Sequence, residues 1–228
     1  MMTRSEVVAS NKRPDFSAVY SKANEILVKS RVISSFPFSA IELVNEQTAI
    51  KCRTYKKALK YGIDITAFGS ESATIIEYAG KEIIFYDDSK LMTHVKYSIL
   101  HELGHSLNKH NFNIADKEIY GRYEVETNYF AAQLLMPEQV LREFNNRGIR
   151  ITKEFLMQHF EVSETAAKKR IETLAKTKFE WRSQPEKEFD DIIICKFATF
   201  IDGICPSRKK CFDFEDEYDR QKERDSWL

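Results

Sequence analysis

The spacing of apolar and polar positions divides the first part of the chain into two helices and a group of short strands. Apolar residues recur every three to four positions in residues 16–30, which predicts an amphipathic helix, and a second helix is expected from Pro37 through Leu43. Strand-like runs then occupy residues 49–55, 63–68, 73–78 and 82–86. The last two runs are separated by Ala79-Gly80, which predicts a β-hairpin.

The same patterning predicts two longer helices after the hairpin. In residues 91–109 the leucines recur on one helical face, and Thr93 is the expected N-cap. A second helical segment covers residues 123–136 and is closed by Pro137. Short strands combined with several helices indicate an α+β fold, in which a small antiparallel or mixed sheet packs on the helix 91–109.

Two histidines and a glutamate stand on this helix, in the order His101-Glu102-Leu103-Gly104-His105. Residues i and i+4 lie about 40° apart around a helix axis, so His101 and His105 project from one face and could hold one cation. In zinc hydrolases such a pair binds an ion that activates water, and the glutamate takes the proton of that water. The pattern predicts a zinc peptidase with Glu102 as the general base. Because glycine costs about 1 kcal/mol relative to alanine inside a helix, another element is expected to pack closely at Gly104.

A third protein ligand is needed, because a catalytic zinc site normally has three and leaves the fourth position to water. The metzincin pattern would place a histidine six residues after His105, but Asn111 occupies that position. His110 is one residue off this register, and we expect it to be a helix-end side chain. The third ligand is therefore sought in the following helix.

Glu124 and Glu126 compete for this role. Glu124 shares its face of the predicted helix with Asn128, a polar residue one turn on that could orient a liganding imidazole. Glu126 shares its face with Phe130 and Gln133, which is less typical of the surroundings of a metal ion. The residues favour Glu124 and leave Glu126 as the alternative.

Together the two motifs resemble the ImmA/IrrE family of bacterial and phage metallopeptidases. The similarity rests on HELGH followed by E-x-E-x-N-x-F-A-x-x-L-L-M-P, and it extends over about residues 23–174. The resemblance implies a small zincin-like catalytic domain in which His101, His105 and Glu124 bind the metal and Glu102 is the base. It also implies a cytoplasmic zinc endopeptidase that cuts a regulatory protein, often a phage-type repressor or a stress regulator.

Two positions near the expected site depart from the family pattern. Many members carry a further histidine four residues after the second histidine ligand, where this chain has Lys109 with His110 next to it. Thr127 stands where the family usually has alanine. The metal ligands themselves are unchanged, so the departures concern the substrate contacts that the family would imply.

We expect three parts along the chain: a catalytic domain over residues 1–138, a helix-turn-helix-like segment over 139–178, and a C-terminal extension over 179–228. The middle part carries nine Lys and Arg against five Glu, and Lys168 and Lys169 could face DNA. This excess is small for neutralising phosphates, so packing on the catalytic domain or on a protein partner is favoured over DNA contact. The alternative function is a regulatory protein that binds DNA or a repressor, with a structural or vestigial metal site.

The C-terminal extension shows no family pattern. Residues 181–187 are typical of a linker, and the apolar run in residues 189–200 is compatible with a strand. Residues 212–228 carry seven acidic against three basic side chains, which indicates a solvated helix or tail or a contact with the basic segment. The four cysteines are expected to be free thiols in a reducing cytosol; they are Cys52, Cys195, Cys205 and Cys211.

Composition excludes several other classes of protein. The 228-residue chain has a formal net charge of zero, which gives no support to general polyanion binding. No stretch reaches the roughly 20 apolar residues of a membrane span, and residues 1–14 lack the apolar core of a signal peptide, so we expect a cytoplasmic protein.

A hydroxyl or imidazole that stabilises an oxyanion is also expected, and its candidates are Tyr120, Tyr123, Tyr129 and His94.

Overall fold

The computed structural model describes residues 13–68, 71–110, 116–177 and 183–206. The helices are α1 (Phe16–Lys29), α2 (Ala40–Gln47), α3 (Tyr55–Ala58), α4 (Met92–Leu107), α5 (Lys117–Leu135), α6 (Glu138–Asn146), α7 (Lys153–Phe160), α8 (Glu164–Lys176), α9 (Gln184–Lys196) and α10 (Ala198–Ile204). The strands are β1 (Lys51–Thr54), β2 (Ala73–Tyr78) and β3 (Lys81–Tyr86). Short 3-10 turns occupy Leu59–Tyr61 and Ile65–Phe68.

The three strands form a mixed sheet with β3 in the centre. β2 and β3 make the expected antiparallel hairpin, and β1 pairs with β3 in parallel. Ala79 and Gly80 both have positive φ angles, 51° and 72°, as a tight two-residue hairpin turn requires. The α+β prediction is confirmed, and β2 lies at one edge of the sheet, where it packs against α4.

The C-terminal helices pack into the same hydrophobic core as α4, α5 and the sheet. Ile193 of α9, Phe197 at the junction and Ile201 of α10 are fully buried, and they recur every four residues. This spacing places them on one helical face, so the strand expected within residues 189–200 is wrong. Lys196 fastens α9 to the end of α1, because its ammonium group donates to the backbone oxygen of Ser30 at 2.6 Å.

Within the expected helix-turn-helix-like segment, residues 139–178, the helix pair is formed by α7 and α8, and a buried arginine holds it against α5. Arg170 on α8 is 1% exposed and donates from Nε to the backbone oxygen of Met136 at 2.9 Å. Its Nη2 donates to Gln133 Oε1, near the end of α5. One of the basic residues of this segment is therefore turned inward, where it fixes α8 on α5.

Two local predictions are wrong for identifiable reasons. Residues 63–68 do not form a strand, because the side chain of Asp64 accepts hydrogen bonds from the backbone N and the hydroxyl of Thr66 and favours a turn there. Thr93 is not the N-cap of α4, since Leu91 takes that position without a side-chain cap bond.

Some of the sequence-based expectations fall on residues outside the described part of the chain. The acidic residues 212–228, Cys211, Asn111 and part of the expected linker 181–187 are in this group. The domain boundaries at residues 138 and 178 stay predictions. Within the described residues, the helices are all too short or too polar to cross a bilayer.

Gly104 allows α4 and α5 to pack closely, as the sequence predicts. A Cβ atom at this position would lie 3.0 Å from Phe130 Cδ1 and 3.3 Å from Thr127 Cγ2. Both neighbours are fully buried side chains of α5. A larger residue would therefore push the two helices apart.

We predict that Gly104→Ala lowers the free energy of unfolding by about 1–3 kcal/mol, because overpacking outweighs the gain in helix propensity. Gly121→Ala is the matched control: Gly121 also lies inside a helix, but a Cβ there would meet nothing within 4 Å. The control should raise the free energy of unfolding by up to about 1 kcal/mol. Urea denaturation of the metal-free variants measures both changes, and equal effects would contradict the close-packing interpretation.

Candidate metal centre

His101 and His105 lie one turn apart on α4 and point their Nε2 atoms at the same place. The two Nε2 atoms are 3.0 Å apart. The opposite face of this helix carries Ile99, Leu100 and Leu103, which are buried in the core and fix how α4 is rotated. The apolar face of the helix thereby orients the histidine pair.

Glu124 reaches this pair from α5. Its Oε2 lies 3.3 Å from His101 Nε2, and its Oε1 lies 3.3 Å from His105 Nε2. The hydrogen bonds from the two histidines hold the pKa of Glu124 well below its usual range. The carboxylate is therefore ionised and able to bind a cation.

These three side chains fit a zinc ion in both donor type and spacing. Two imidazole nitrogens and one carboxylate are a donor set of catalytic zinc sites. Ligand atoms held tetrahedrally at about 2.0–2.1 Å from zinc are separated by about 3.3 Å. The separations of 3.0–3.3 Å between Nε2 of His101, Nε2 of His105 and the carboxylate of Glu124 agree with that value, so the cluster could hold a metal ion.

Glu126 does not join this cluster. Side chains at positions i and i+2 of a helix point about 160° apart around its axis. Only one of Glu124 and Glu126 can therefore face the histidine pair. Glu126 is 6% exposed, and its side chain contacts His110 and the backbone N of Asp15 instead. Of the two candidates, Glu124 is the one that the structure brings to the histidines.

His110 lies at the end of α4, as the sequence predicts, but it is buried and contacts a candidate ligand. Its Nδ1 is 3.1 Å from His105 Nδ1. Burial, followed by the charges of neighbouring groups, lowers the pKa of His110 to about 4. Sequence reasoning missed this contact; the histidine of the family pattern one residue earlier was the signal that could have indicated it.

Glu102 lies between the histidine pair and the sheet. Its Oε2 accepts a hydrogen bond of 3.0 Å from the backbone N of Ile75 in β2, so the edge strand fixes the carboxylate. Burial raises the pKa of Glu102, while the nearby histidines His101 and His105 act against this shift. The expected general base is therefore held beside the two expected ligands.

The candidates for oxyanion stabilisation differ in their distance from the centre. The hydroxyl of Tyr120 hydrogen-bonds the carboxylate of Glu124, and burial together with this carboxylate raises the pKa of Tyr120. Tyr123 stacks on His110 and Tyr129 packs on Phe16. His94 is exposed at the start of α4. Tyr120 is therefore the best placed of the four.

Asn128 has a different role from the expected one. Its Nδ2 donates to the backbone oxygen of Glu124 at 2.6 Å, and its Oδ1 accepts from the hydroxyl of Tyr97 at 3.0 Å. It thus ties α5 to α4 rather than orienting an imidazole. Thr127 lies nearer to the histidines, with Oγ1 3.3 Å from His101 Nε2.

The fold brings a helix-borne histidine pair and a glutamate from the next helix together as a candidate metal centre, an arrangement typical of metallopeptidases. A comparison with protein-family models matches residues 58–172 to Peptidase M78, the IrrE N-terminal-like domain. This match covers just over half of the chain, and the chain belongs to that family. The resemblance to ImmA/IrrE is confirmed. A comparison with curated proteins finds no match.

We predict that the purified protein binds about one zinc ion per chain and that His101→Ala loses this ion, because two of the three donors cannot hold it tightly. Metal analysis after zinc loading and gel filtration measures the ratio. His94→Ala is the control, since this exposed histidine lies on the same helix away from the cluster. Equal zinc content in the two variants would contradict the assignment.

Proposed function

We propose that the protein is a cytoplasmic zinc endopeptidase that cuts a regulatory protein. His101, His105 and Glu124 are the ligands in this proposal, and Glu102 is the general base. The observation that carries it is the convergence of three side chains from α4 and α5: the two imidazole Nε2 atoms are 3.0 Å apart, each lies 3.3 Å from one carboxylate oxygen of Glu124, and the fixed carboxylate of Glu102 lies beside them. Membership of a metallopeptidase family supports the type of reaction.

Zinc bound by the three side chains supplies Lewis-acid activation of water and of the scissile carbonyl. Glu102 is held at Oε2 by Ile75 N, so its Oε1 takes the proton as water adds to the carbonyl carbon. The carbon–nitrogen bond then breaks, and Glu102 gives that proton to the leaving amine. Glu102 returns to its ionised state, and the second proton of the water passes from the new carboxyl group to the amine, so the products are a carboxylate and an ammonium group.

We place the substrate backbone beside β2, along the edge that does not pair with β3. In the hairpin, alternate residues of this strand direct their backbone N–H and C=O groups away from β3, namely Ala73, Ile75 and Glu77. The hydrogen bond from Ile75 N to Glu102 agrees with this direction. An extended peptide that pairs with the edge would run past the base, which suits an enzyme that cuts within a chain.

A transcriptional regulator is the proposed substrate, on the basis of the family resemblance. Three cysteines in the described part of the chain, Cys52, Cys195 and Cys205, are free thiols, in agreement with a reducing cytoplasm.

DNA binding has no part in the proposal. Lys168 on α8 is paired with Glu164 at 2.8 Å, and Arg170 is buried against α5, so part of the basic charge of this segment is already engaged.

Glu102→Gln should retain zinc and lose peptidase activity, because the amide keeps the shape of the side chain but cannot accept the proton. This variant is also a substrate trap. We expect it to co-purify with an intact regulator that the wild-type protein cleaves in vitro, at a site mapped by mass spectrometry. Glu25→Gln, a change at an exposed glutamate of α1, is the control and should leave cleavage unchanged. Full cleavage by the zinc-loaded Glu102→Gln protein would overturn the proposal.

Tyr120→Phe should reduce kcat by about 100–1000-fold with unchanged zinc content, because the hydroxyl next to Glu124 is our candidate for stabilising the oxyanion. Tyr129→Phe removes a hydroxyl on the same helix at a position whose ring packs on Phe16. This control should cleave the captured substrate at the wild-type rate. Equal rates for the two variants would remove Tyr120 from the mechanism.

A further inference from the structure

Three buried side chains form a line from the metal centre into the protein. His105 Nδ1 lies 3.1 Å from His110 Nδ1, and His110 Nε2 lies 3.0 Å from Glu126 Oε2. The residues are 4%, 8% and 6% exposed in that order. The nitrogen of His105 that faces away from Glu124 is thus in contact with a second imidazole, which is itself in contact with a carboxylate.

The positions of the protons along this line follow from His105, the candidate metal ligand at its outer end. An imidazole that binds a cation through Nε2 carries its proton on Nδ1. His105 Nδ1 then donates to His110 Nδ1, and His110 carries its own proton on Nε2, where it donates to Glu126. A carboxylate only accepts hydrogen bonds, so it is the group that suits the inner end.

The end of α4 is built to bring His110 into this line. The helix ends at Leu107, Lys109 has a positive φ of 55°, and His110 N donates to the backbone oxygen of His105 at 3.1 Å. This reversal folds the chain back towards His105. The ring of Tyr123 then stacks on His110, with the ring centroids 3.9 Å apart and an interplanar angle of 7°.

Glu126 is fixed from further sides. Its Oε1 accepts a hydrogen bond of 2.9 Å from Asp15 N and lies 3.6 Å from Arg122 Nε. Both carboxylate oxygens therefore face donors. A glutamine at this position would direct an N–H either at Asp15 N or at His110 Nε2, so it cannot reproduce the contacts of the carboxylate.

We propose that His110 and Glu126 are positioning residues of the metal centre. They hold the ring of His105 so that Nε2 faces Glu124 and Nδ1 carries the proton. The inference rests on the proposed function, because it concerns the ligands of the same ion. Groups that hydrogen-bond a liganding histidine in this way typically contribute about 10–100-fold to metal affinity.

A first test uses the wild-type protein loaded with zinc, so it does not depend on any variant that fails to fold. Long-range proton–nitrogen correlation spectra of the imidazole rings distinguish the two neutral tautomers from the charged ring. We expect the Nδ1–H tautomer for His105 and the Nε2–H tautomer for His110. An Nδ1–H tautomer or a charged ring at His110 would overturn the proposal.

A second test measures zinc affinity by competition with a chromogenic chelator. His110→Ala and Glu126→Gln should bind zinc about 10–100-fold more weakly than the wild type. His110→Asn should recover part of this loss, because its Oδ1 can accept from His105 Nδ1 at the place of the lost ring nitrogen. The cobalt-loaded variants should also show altered d–d absorption, which a loss of packing distant from the ion would leave unchanged.

His159→Asn is the matched control, since it replaces a histidine of α7 by the same residue and should bind zinc as tightly as the wild type. Folded His110→Ala and Glu126→Gln proteins with wild-type zinc affinity would overturn the positioning role and leave the proposed function intact. A wild-type protein that binds no zinc would instead overturn both. Circular dichroism of the metal-free variants establishes that they are folded.

Discussion

The close contact between α4 and α5 determines the geometry of the metal centre, because it sets the distance from Glu124 to the two imidazoles. Gly104 stands between His101 and His105 in the sequence, and Phe130 and Thr127 fill the space where its side chain would be. Side chains of a functional site must be held within about 0.5 Å of their working positions. An added methyl group at 3.0 Å from Phe130 would displace the helices by a comparable amount. The glycine that weakens the helix is therefore what allows the three donors to meet.

Polar residues on several faces of α5 connect the centre to the rest of the protein. Glu124 faces the histidine pair, Glu126 faces His110, and Gln133 accepts from Arg170 of α8. A buried polar group without a hydrogen-bond partner costs free energy. Each of these contacts therefore favours one orientation of α5 relative to the helices that pack on it. The contacts of α5 with α4 and α8 fix the rotation of α5 about its axis as well as its distance from these helices. Apolar packing alone specifies this rotation less strictly.

Local patterns predicted the elements that depend on nearby residues, namely the hairpin, the helix 91–109 and the projection of His101 and His105 from one face. The choice of Glu124 over Glu126 also agrees with the geometry, although the reason given for it, an orienting Asn128, does not. The partnership of His110 with Glu126 was missed, because it depends on a positive φ at Lys109 and on the packing of α5 against the end of α4. Both are long-range consequences of the fold. The apolar run in residues 189–200 is compatible with a strand or with a helix. Packing against α1 and α6 favours the helix.

The backbone at the end of α4 explains how His110, one residue beyond the position of the histidine in the family pattern, reaches His105. A shift of one residue along a continuous helix rotates a side chain by about 100°, which would turn His110 away from His105. Because α4 stops at Leu107 and Lys109 adopts a left-handed conformation, the chain reverses and His110 comes back to within 3.1 Å of His105. Lysine gains nothing by itself from a positive φ, which is uncommon for residues other than glycine, asparagine and aspartate. The buried ring of His110 stacks on Tyr123 and hydrogen-bonds Glu126. These contacts maintain the conformation, because their contribution to stability exceeds the free-energy cost of the backbone strain at Lys109.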